Sequence, residues 1–211
     1  MKVVAFNGSP RAEGNTNRAL AIVAEELERE GIATSVVQVG SRQVRGCVAC
    51  GGCARNKDGR CVLPDDGVNA WIAEAREADG LLFGSPVHFS GMGATMKAFL
   101  DRAFYVASAN GGLFRHKVGA AVVAVRRSGG VAAFDQLGHY LAYSEMLVPG
   151  SNYWNVIHGT APGEADGDEE GVQILRVLGR NMAWLMKLVE AGRESLPPPE
   201  REKKRYMSFI R

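Results

Sequence analysis

Short apolar segments that alternate with helical segments are the feature that most restricts the fold of this chain. Uninterrupted apolar runs are typical of strands buried on both faces of a sheet. Five occur, at "KVVAF" (2–6), "TSVVQV" (34–39), "GLLFG" (80–84), "KVGAAVVAV" (117–125) and "NYWNVI" (152–157). Apolar residues recur at helical spacing in the stretches between and after them, at 17–30, 67–79, 94–106, 131–146 and 175–189. This alternation predicts an α/β fold: a parallel, doubly wound sheet covered by helices on both faces.

The length and charge of the chain predict one soluble domain. Its 211 residues are divided into a domain at 1–194, with a cysteine-rich loop at 46–64, and a basic tail at 195–211. The net charge of +2 does not indicate a nucleic-acid partner. The sequence has no apolar run of about 18 residues, and its N-terminal apolar stretch is too short for a signal peptide. We therefore expect a cytoplasmic protein without a membrane partner.

The loop after the first apolar segment has the composition of an anion-binding loop. "NGSPRAEGNTN" (7–17) joins the first strand to the first helix, which Thr16 or Asn15 can cap and Gly31 can end. A helix N-terminus favours a phosphate, and ligands of such folds lie at the carboxyl ends of the strands. Ser9 and Arg11 add side-chain donors. Because the loop matches neither G-x-G-x-x-G nor the P-loop pattern, we expect one terminal monoester phosphate.

Two further loops follow strands of the same predicted sheet. "SPVHFSGMG" (85–93) carries His88 and Phe89, which can lie against a flat ring. "RRSGG" (126–130) carries Arg126 and Arg127, and one of them is expected to face the ligand. A planar ligand with a phosphate tail would then have its tail in the first loop and its ring between the other two.

These three loops together resemble those of the flavodoxin-like NADPH-dependent FMN reductase family, over about residues 1–160. The resemblance implies a five-stranded sheet in the order 2-1-3-4-5, an FMN cofactor and NAD(P)H as the electron donor. His88 is a departure, since relatives commonly have Tyr there. FMN supplies the chemistry, so no catalytic side chain is predicted. The candidate cofactor residues are Ser9, Arg11, Asn15, Thr16, Asn17, Pro86, Val87, His88, Phe89, Ser90, Gly91, Arg127, Ser128 and Gly129.

All four cysteines lie within one short segment, as C-x2-C-x2-C-x7-C at Cys47, Cys50, Cys53 and Cys61. Compact cysteine runs of this kind bind [4Fe–4S] clusters through their thiolates. Arg55, Lys57 and Arg60 are expected to offset the charge of a cluster. The pattern also resembles the iron–sulfur flavoprotein branch of the family, in which four cysteines hold a cluster near the flavin.

Three other interpretations of the cysteines stay open. They are a structural zinc site, a redox dithiol, and four thiols that hold no cluster in the isolated protein. Asp65 and Asp66 follow the cysteines and are expected to cap the next helix.

The expected function is an FMN-dependent oxidoreductase, of the NAD(P)H:flavin reductase or iron–sulfur flavoprotein type. The alternatives are an NAD(P)H:quinone reductase, a non-enzymatic flavodoxin-like electron carrier and a redox- or metal-sensing module. The expected partners are a small-molecule electron donor and acceptor, or ferredoxin. The family tendency implies a homodimer or homotetramer.

Overall fold

A parallel sheet lies at the centre of the computed structural model, which describes residues 1–63, 66–202 and 204–209. In this part of the chain the strands are β1 (Lys2–Asn7), β2 (Ala33–Gln38), β3 (Gly80–His88), β4 (Gly91–Met92), β5 (Val118–Val125) and β6 (Val156–His158). Five of them are parallel in the order β2-β1-β3-β5-β6, and β4 pairs antiparallel with β3.

The residues that the structure describes also form six α-helices and a 3-10 turn. The helices are α1 (Asn15–Arg29), α2 (Gly52–Asn56), α3 (Val68–Glu77), α4 (Ala94–Ala109), α5 (Gly130–Tyr143) and α6 (Glu169–Gly192), and the 3-10 turn is Glu164–Gly167. Among the described residues, none of the helices combines the length and the apolar character that a bilayer crossing requires. The tail after α6 has neither helix nor strand in the residues that the structure describes.

The predicted sheet is confirmed, because the parallel strands follow the order 2-1-3-4-5 when the short β4 is set aside. Two strands differ from the prediction by more than one residue. Strand β3 continues to His88, and the last strand covers Val156–His158 rather than 152–157. The residues before β6 instead form a turn, in which the Ser151 hydroxyl donates to Asn155 Oδ1 over 2.7 Å. The Asn155 amide then donates to the Ala121 carbonyl of β5 over 3.1 Å.

Side-chain alternation along the strands builds two separate cores. On β1, Val3 and Ala5 pack with α1 and α6, whereas Val4 and Phe6 pack with α3, α4 and α5. All four of these side chains are fully buried. Because successive residues of a strand face opposite sides of the sheet, the uninterrupted apolar runs of the sequence correspond to a sheet covered on both faces.

The two ends of α1 differ in how they are completed. The helix ends as predicted at Gly31, whose φ of 78° allows a left-handed turn. The N–H groups of Gly31 and Ile32 donate to the Glu28 and Leu27 carbonyls, which is the Schellman pattern. The expected cap at the start was wrong. Gly14 is the N-cap residue, and no side chain caps the helix.

A buried carboxylate joins α1 to α6. Glu26 is 3% exposed, accepts a hydrogen bond from Arg180 Nε over 2.9 Å and pairs with Arg29. The helices approach closely here, because a Cβ on Gly179 would lie 2.7 Å from Glu26 Cβ. Burial alone would raise the pKa of Glu26, but the two arginines outweigh it and lower that pKa.

We expect Glu26→Gln to lower the free energy of unfolding by about 1–3 kcal/mol at pH 7. A carboxyl whose pKa is depressed in the folded state stabilises the fold above its unfolded pKa and loses that contribution as the pH falls. The difference between variant and wild type should therefore shrink below about pH 4.5, measured by urea unfolding across pH. Glu28→Gln, an exposed change on the same helix, is the control. An equal difference at pH 3 and pH 7 would contradict this account.

Candidate functional site

The first loop is held in place by polar side chains at the ends of β1 and β2. The Ser9 N–H donates to Asn7 Oδ1 over 3.0 Å, and the Asn7 amide donates to Gln38 Oε1 over 2.7 Å. Gln38 completes the ring by donating to the Ser9 carbonyl over 2.6 Å. Ser9 is 5% exposed. The loop is therefore positioned before any ligand arrives.

The start of α1 leaves its first backbone N–H groups available. The first intrahelical bond runs from the Arg18 N–H to the Gly14 carbonyl over 3.0 Å. The Asn15 side chain binds protein instead, since it donates to the Ala161 carbonyl over 2.9 Å and accepts from the Ala165 N–H. The uncapped N–H groups and the Ser9 hydroxyl lie at this end of the helix, with Arg11 exposed beside them, and phosphate binding here stays a prediction.

Gly40 allows the close packing behind the first loop. A Cβ at this position would lie 2.3 Å from the Gly8 carbonyl oxygen and from the Ser9 backbone. These neighbours are backbone atoms, which cannot rotate away as the end of a side chain can. Gly40 was not among the predicted site residues. It lies far from the first loop in the sequence and belongs to no motif that would have indicated the contact.

The second predicted loop is a β-hairpin. Its pairs are Val87 with Met92 and His88 with Gly91, which leaves Phe89 and Ser90 as a two-residue turn. Both have positive φ, at 48° and 60°, as a type I′ turn requires. Phe89 is fully exposed at the tip. Such turns favour Asn-Gly, so a Phe-Ser pair stores strain.

The three loops meet at one edge of the sheet. The Gly8 N–H donates to the Gly84 carbonyl over 2.8 Å, which joins the first loop to β3. A Cβ on Gly129 would lie 2.8 Å from Ser90 Cα, so the hairpin tip packs directly on the third loop. The second and third loops are therefore in contact at the edge where the ring of the ligand is predicted to lie.

The third loop borders a pocket that the prediction missed. Arg126, Arg127 and Ser128 are all exposed, and the latter two line a pocket together with Tyr153 and Trp154. These aromatic side chains are 64% and 53% exposed. The sequence predicted a strand over 152–157, which includes both residues. Exposed aromatic rings beside a loop that is predicted to bind a ligand are typical of a binding surface.

All four cysteines line one cavity, which supports a common ligand for their sulfur atoms. Cys47 and Cys50 are exposed, whereas Cys53 and Cys61 are partly buried. The cavity measures about 20 Å³, close to the size of one water molecule. Burial raises the pKa of the Cys53 thiol, and the adjacent Cys61 and Cys47 sulfurs raise it further. Within the described residues, no three His, Cys, Asp or Glu side chains are arranged around a single metal-ion position.

Hydrogen bonds between side chains and backbone groups hold the cysteine segment in place. Asn69 accepts from the Cys61 N–H over 2.8 Å and donates to its carbonyl over 2.9 Å. Helix α2, which was not predicted, carries Cys53. Arg55 donates to the Cys50 carbonyl over 2.8 Å, and Lys57 donates to the Ala109 carbonyl over 3.1 Å. These contacts fix the segment around Cys50, Cys61 and α2.

Arg102 of α4 is a neighbour of the thiols that the prediction missed. Its Nε donates to Cys61 Sγ over 3.3 Å, and it lines the cysteine cavity. It also pairs with Asp66. Asp66 Oδ1 accepts from the Val68 N–H over 3.4 Å at the start of α3, but Gly67 is the N-cap residue and no side chain among the described residues caps the helix, so the expected capping role of Asp66 was wrong. Asp65 lies outside the described residues.

The chain is similar to known flavoproteins. The model of the NADPH-dependent FMN reductase family matches residues 1–161. An iron–sulfur flavoprotein of Methanocaldococcus jannaschii is 33% identical over 197 residues, which cover 90% of this chain and 100% of that protein.

Two solved structures share the fold. RosB with bound 8-demethyl-8-formylriboflavin-5′-phosphate has a TM-score of 0.67 at 17% identity, covering 100% of this chain and 98% of its own. An NAD(P)H:quinone oxidoreductase from Methanothermobacter marburgensis has a TM-score of 0.64 at 19% identity, covering 86% and 96%.

Gly40→Ala should weaken FMN binding at least about tenfold, or about 1.4 kcal/mol. The added methyl group displaces the Gly8–Ser9 backbone and with it the predicted phosphate site. Quenching of flavin fluorescence during titration of the apoprotein measures the affinity. Gly138→Ala, where nothing lies within 4 Å of the new Cβ, is the control. Equal affinity of both variants would place the phosphate elsewhere.

Phe89→Asn should stabilise the apoprotein by about 1 kcal/mol, because Asn tolerates the left-handed conformation better than Phe. The same change should weaken FMN binding severalfold, because it removes an aromatic face from the hairpin tip. Thermal unfolding and the flavin titration report the two effects separately. A gain in stability with unchanged affinity would show that Phe89 does not touch the flavin.

Proposed function

The chain belongs to the NADPH-dependent FMN reductase family, and we propose that it oxidises NAD(P)H and passes the electrons on singly through an iron–sulfur cluster held by its four cysteines. It is an FMN-dependent oxidoreductase. The observation that carries the proposal is the cavity shared by Cys47, Cys50, Cys53 and Cys61, in a chain whose residues 1–161 match the FMN reductase family.

The residues of the sheet edge fit FMN. We propose that the α1 N-terminus, Ser9 and Arg11 bind the phosphate, with Thr16 and Asn17 in the same first turn. Positive charge from the helix end and Arg11 offsets the phosphate dianion. Asn15 contributes by tying α1 to the loop after β6, rather than through its side-chain donors.

The hairpin and the third loop orient the ring. We propose that Pro86, Val87 and His88 line one side of it, with Phe89, Ser90 and Gly91 at the turn. Arg127, Ser128 and the Gly129 N–H supply donors and positive charge where the reduced ring carries negative charge. When bound, FMN accepts a hydride and releases electrons singly, and a [4Fe–4S] cluster transfers one electron at a time.

The four thiols fit a cubane cluster in number and in kind. Each of the four irons takes one thiolate, so the sulfur atoms stand farther apart than the ligands of a single ion. The preformed backbone around Cys61 and the adjacent Arg102 suit such a ligand. Iron–sulfur flavoprotein is also the name of the M. jannaschii relative, which supports the same proposal.

Cys50→Ala should remove most of the iron and sulfide while sparing FMN, because the two cofactors occupy different loops. The measurement is iron, sulfide and flavin per chain after anaerobic purification, with about four irons expected in the wild type. Gly40→Ala is the reciprocal variant and should lose FMN while retaining iron. Joint loss of both cofactors in either variant would contradict two separate sites.

The donor and acceptor follow from steady-state assays of the loaded protein. Rapid reduction by NADPH or NADH supports the reductase, whereas reduction by ferredoxin alone supports a carrier. A preference for menadione over free FMN would favour a quinone reductase, the activity named for the M. marburgensis neighbour.

We propose a homodimer or homotetramer in the cytoplasm. The described cysteines are all free, which suits a reducing compartment. Large apolar side chains of the tail, at Tyr206, Met207 and Phe209, are at least 82% exposed, and such surface commonly serves association. Sedimentation velocity of the full chain gives the assembly state, and a monomer at micromolar concentration would overturn this part of the proposal.

A further inference from the structure

Arg102 is a buried guanidinium beneath the cysteine segment. Its side chain is 0% exposed, and charged side chains are seldom buried so completely without partners. Nη1 pairs with Asp66 and donates to the Arg45 carbonyl over 3.1 Å. These two contacts give Nη1 its hydrogen-bond partners.

The Nε and Nη2 side of the guanidinium points at the cysteines. Nε donates to Cys61 Sγ over 3.3 Å, whereas buried Nη2 has no hydrogen-bond partner among the described residues. In the planar guanidinium, the Nε–H and one N–H of Nη2 point in the same direction. Nη2 therefore faces the same side as Cys61 Sγ, toward the cavity that Arg102 and the four thiols line.

An unpaired buried donor of this kind indicates a missing acceptor. Leaving a buried N–H unpaired costs about 1–3 kcal/mol, and more when the group is charged. The Asp66 pair and the Arg45 carbonyl hold the guanidinium in this orientation, so the donor cannot turn away without breaking them. The sulfur atoms of a thiolate-bound cluster are acceptors, and they would lie on this side.

We propose that Arg102 donates hydrogen bonds from Nε and Nη2 to sulfur atoms of the cluster, and that these bonds raise the reduction potential of the cluster. The inference rests on the proposed function, since it requires a cluster on the four cysteines. One-electron reduction, with the electron supplied by reduced FMN, makes the sulfur acceptors more negative. A charge-assisted donor favours the more negative state of its acceptor, and hydrogen bonds to sulfur are a recognised control of cluster potential. Arg102 thus helps to position the cluster and tunes its reduction potential.

The test is Arg102→Lys, which keeps the charge and loses the paired N–H donors. The midpoint potential of the anaerobically reconstituted cluster is measured by potentiometric titration with EPR detection. We expect the potential to fall by at least about 59 mV, which is a tenfold change in the oxidised-to-reduced ratio of a one-electron couple. FMN content should stay unchanged. Arg115→Lys, in another arginine that pairs with a carboxylate, that of Glu145, should leave the potential as in the wild type.

A second variant tests the same inference if Arg102→Lys does not fold. Asp66→Asn combined with Arg102→Gln removes both charges together and leaves no unpaired buried ion. It should also show the lower potential. A variant with full iron content and the wild-type potential overturns the inference and leaves the proposed function standing. A wild-type protein that takes up no iron on reconstitution overturns the cluster proposal, and the inference falls with it.

Discussion

The uncapped start of α1 is the constraint on which the proposed flavin site depends. A helix leaves its first N–H groups without intrahelical partners, and these groups need a side chain, water or a ligand. Here Gly14 has no side chain to offer, and Asn15 turns away to bind the loop after β6. Asn7 and Gln38 meanwhile hold Ser9 beside the helix end. The positive end of α1 is thereby kept open, and a phosphate is a fitting partner for it.

Helix α4 connects this edge to the cysteines. It begins directly after the hairpin, and the Gly93 N–H that precedes it donates to the buried Ser85 hydroxyl over 2.9 Å. Arg102 lies eight residues after Ala94, the first residue of α4, or about 12 Å at the rise of an α-helix. One rigid element therefore carries both the base of the hairpin and the guanidinium under Cys61. A flavin and a cluster placed at these positions would keep a constant separation, which suits electron transfer between them.

The sequence predicted those parts of the molecule that depend on local pattern. The parallel sheet followed from the apolar runs, its strand order was implied by the resemblance, and the cysteine site was predicted from the spacing of the cysteines and from the resemblance. The last strand was placed too early because Tyr153 and Trp154 look like strand residues, whereas the Ser151–Asn155 turn that holds them outside the sheet depends on contact with β5. Gly40 and Arg102 were not predicted as site residues for the same reason. Their roles arise from neighbours distant in sequence, the Gly8–Ser9 backbone and Cys61.

Arg102 also shows why a count of charges near the cysteines is a poor guide. Arg55, Lys57 and Arg60 stand close to the thiols in sequence, but the first two bind backbone carbonyls at the protein surface, where water and salt weaken their effect. Arg102 is fully buried, yet Asp66 already balances its charge. Burial opposes ionisation of Asp66, but the hydrogen bond and charge of Arg102 outweigh it and lower the Asp66 pKa. The pair is therefore close to neutral in total, and in the proposed cluster site Arg102 would act through charge-assisted N–H groups aimed at the sulfur atoms rather than through net charge of the pair.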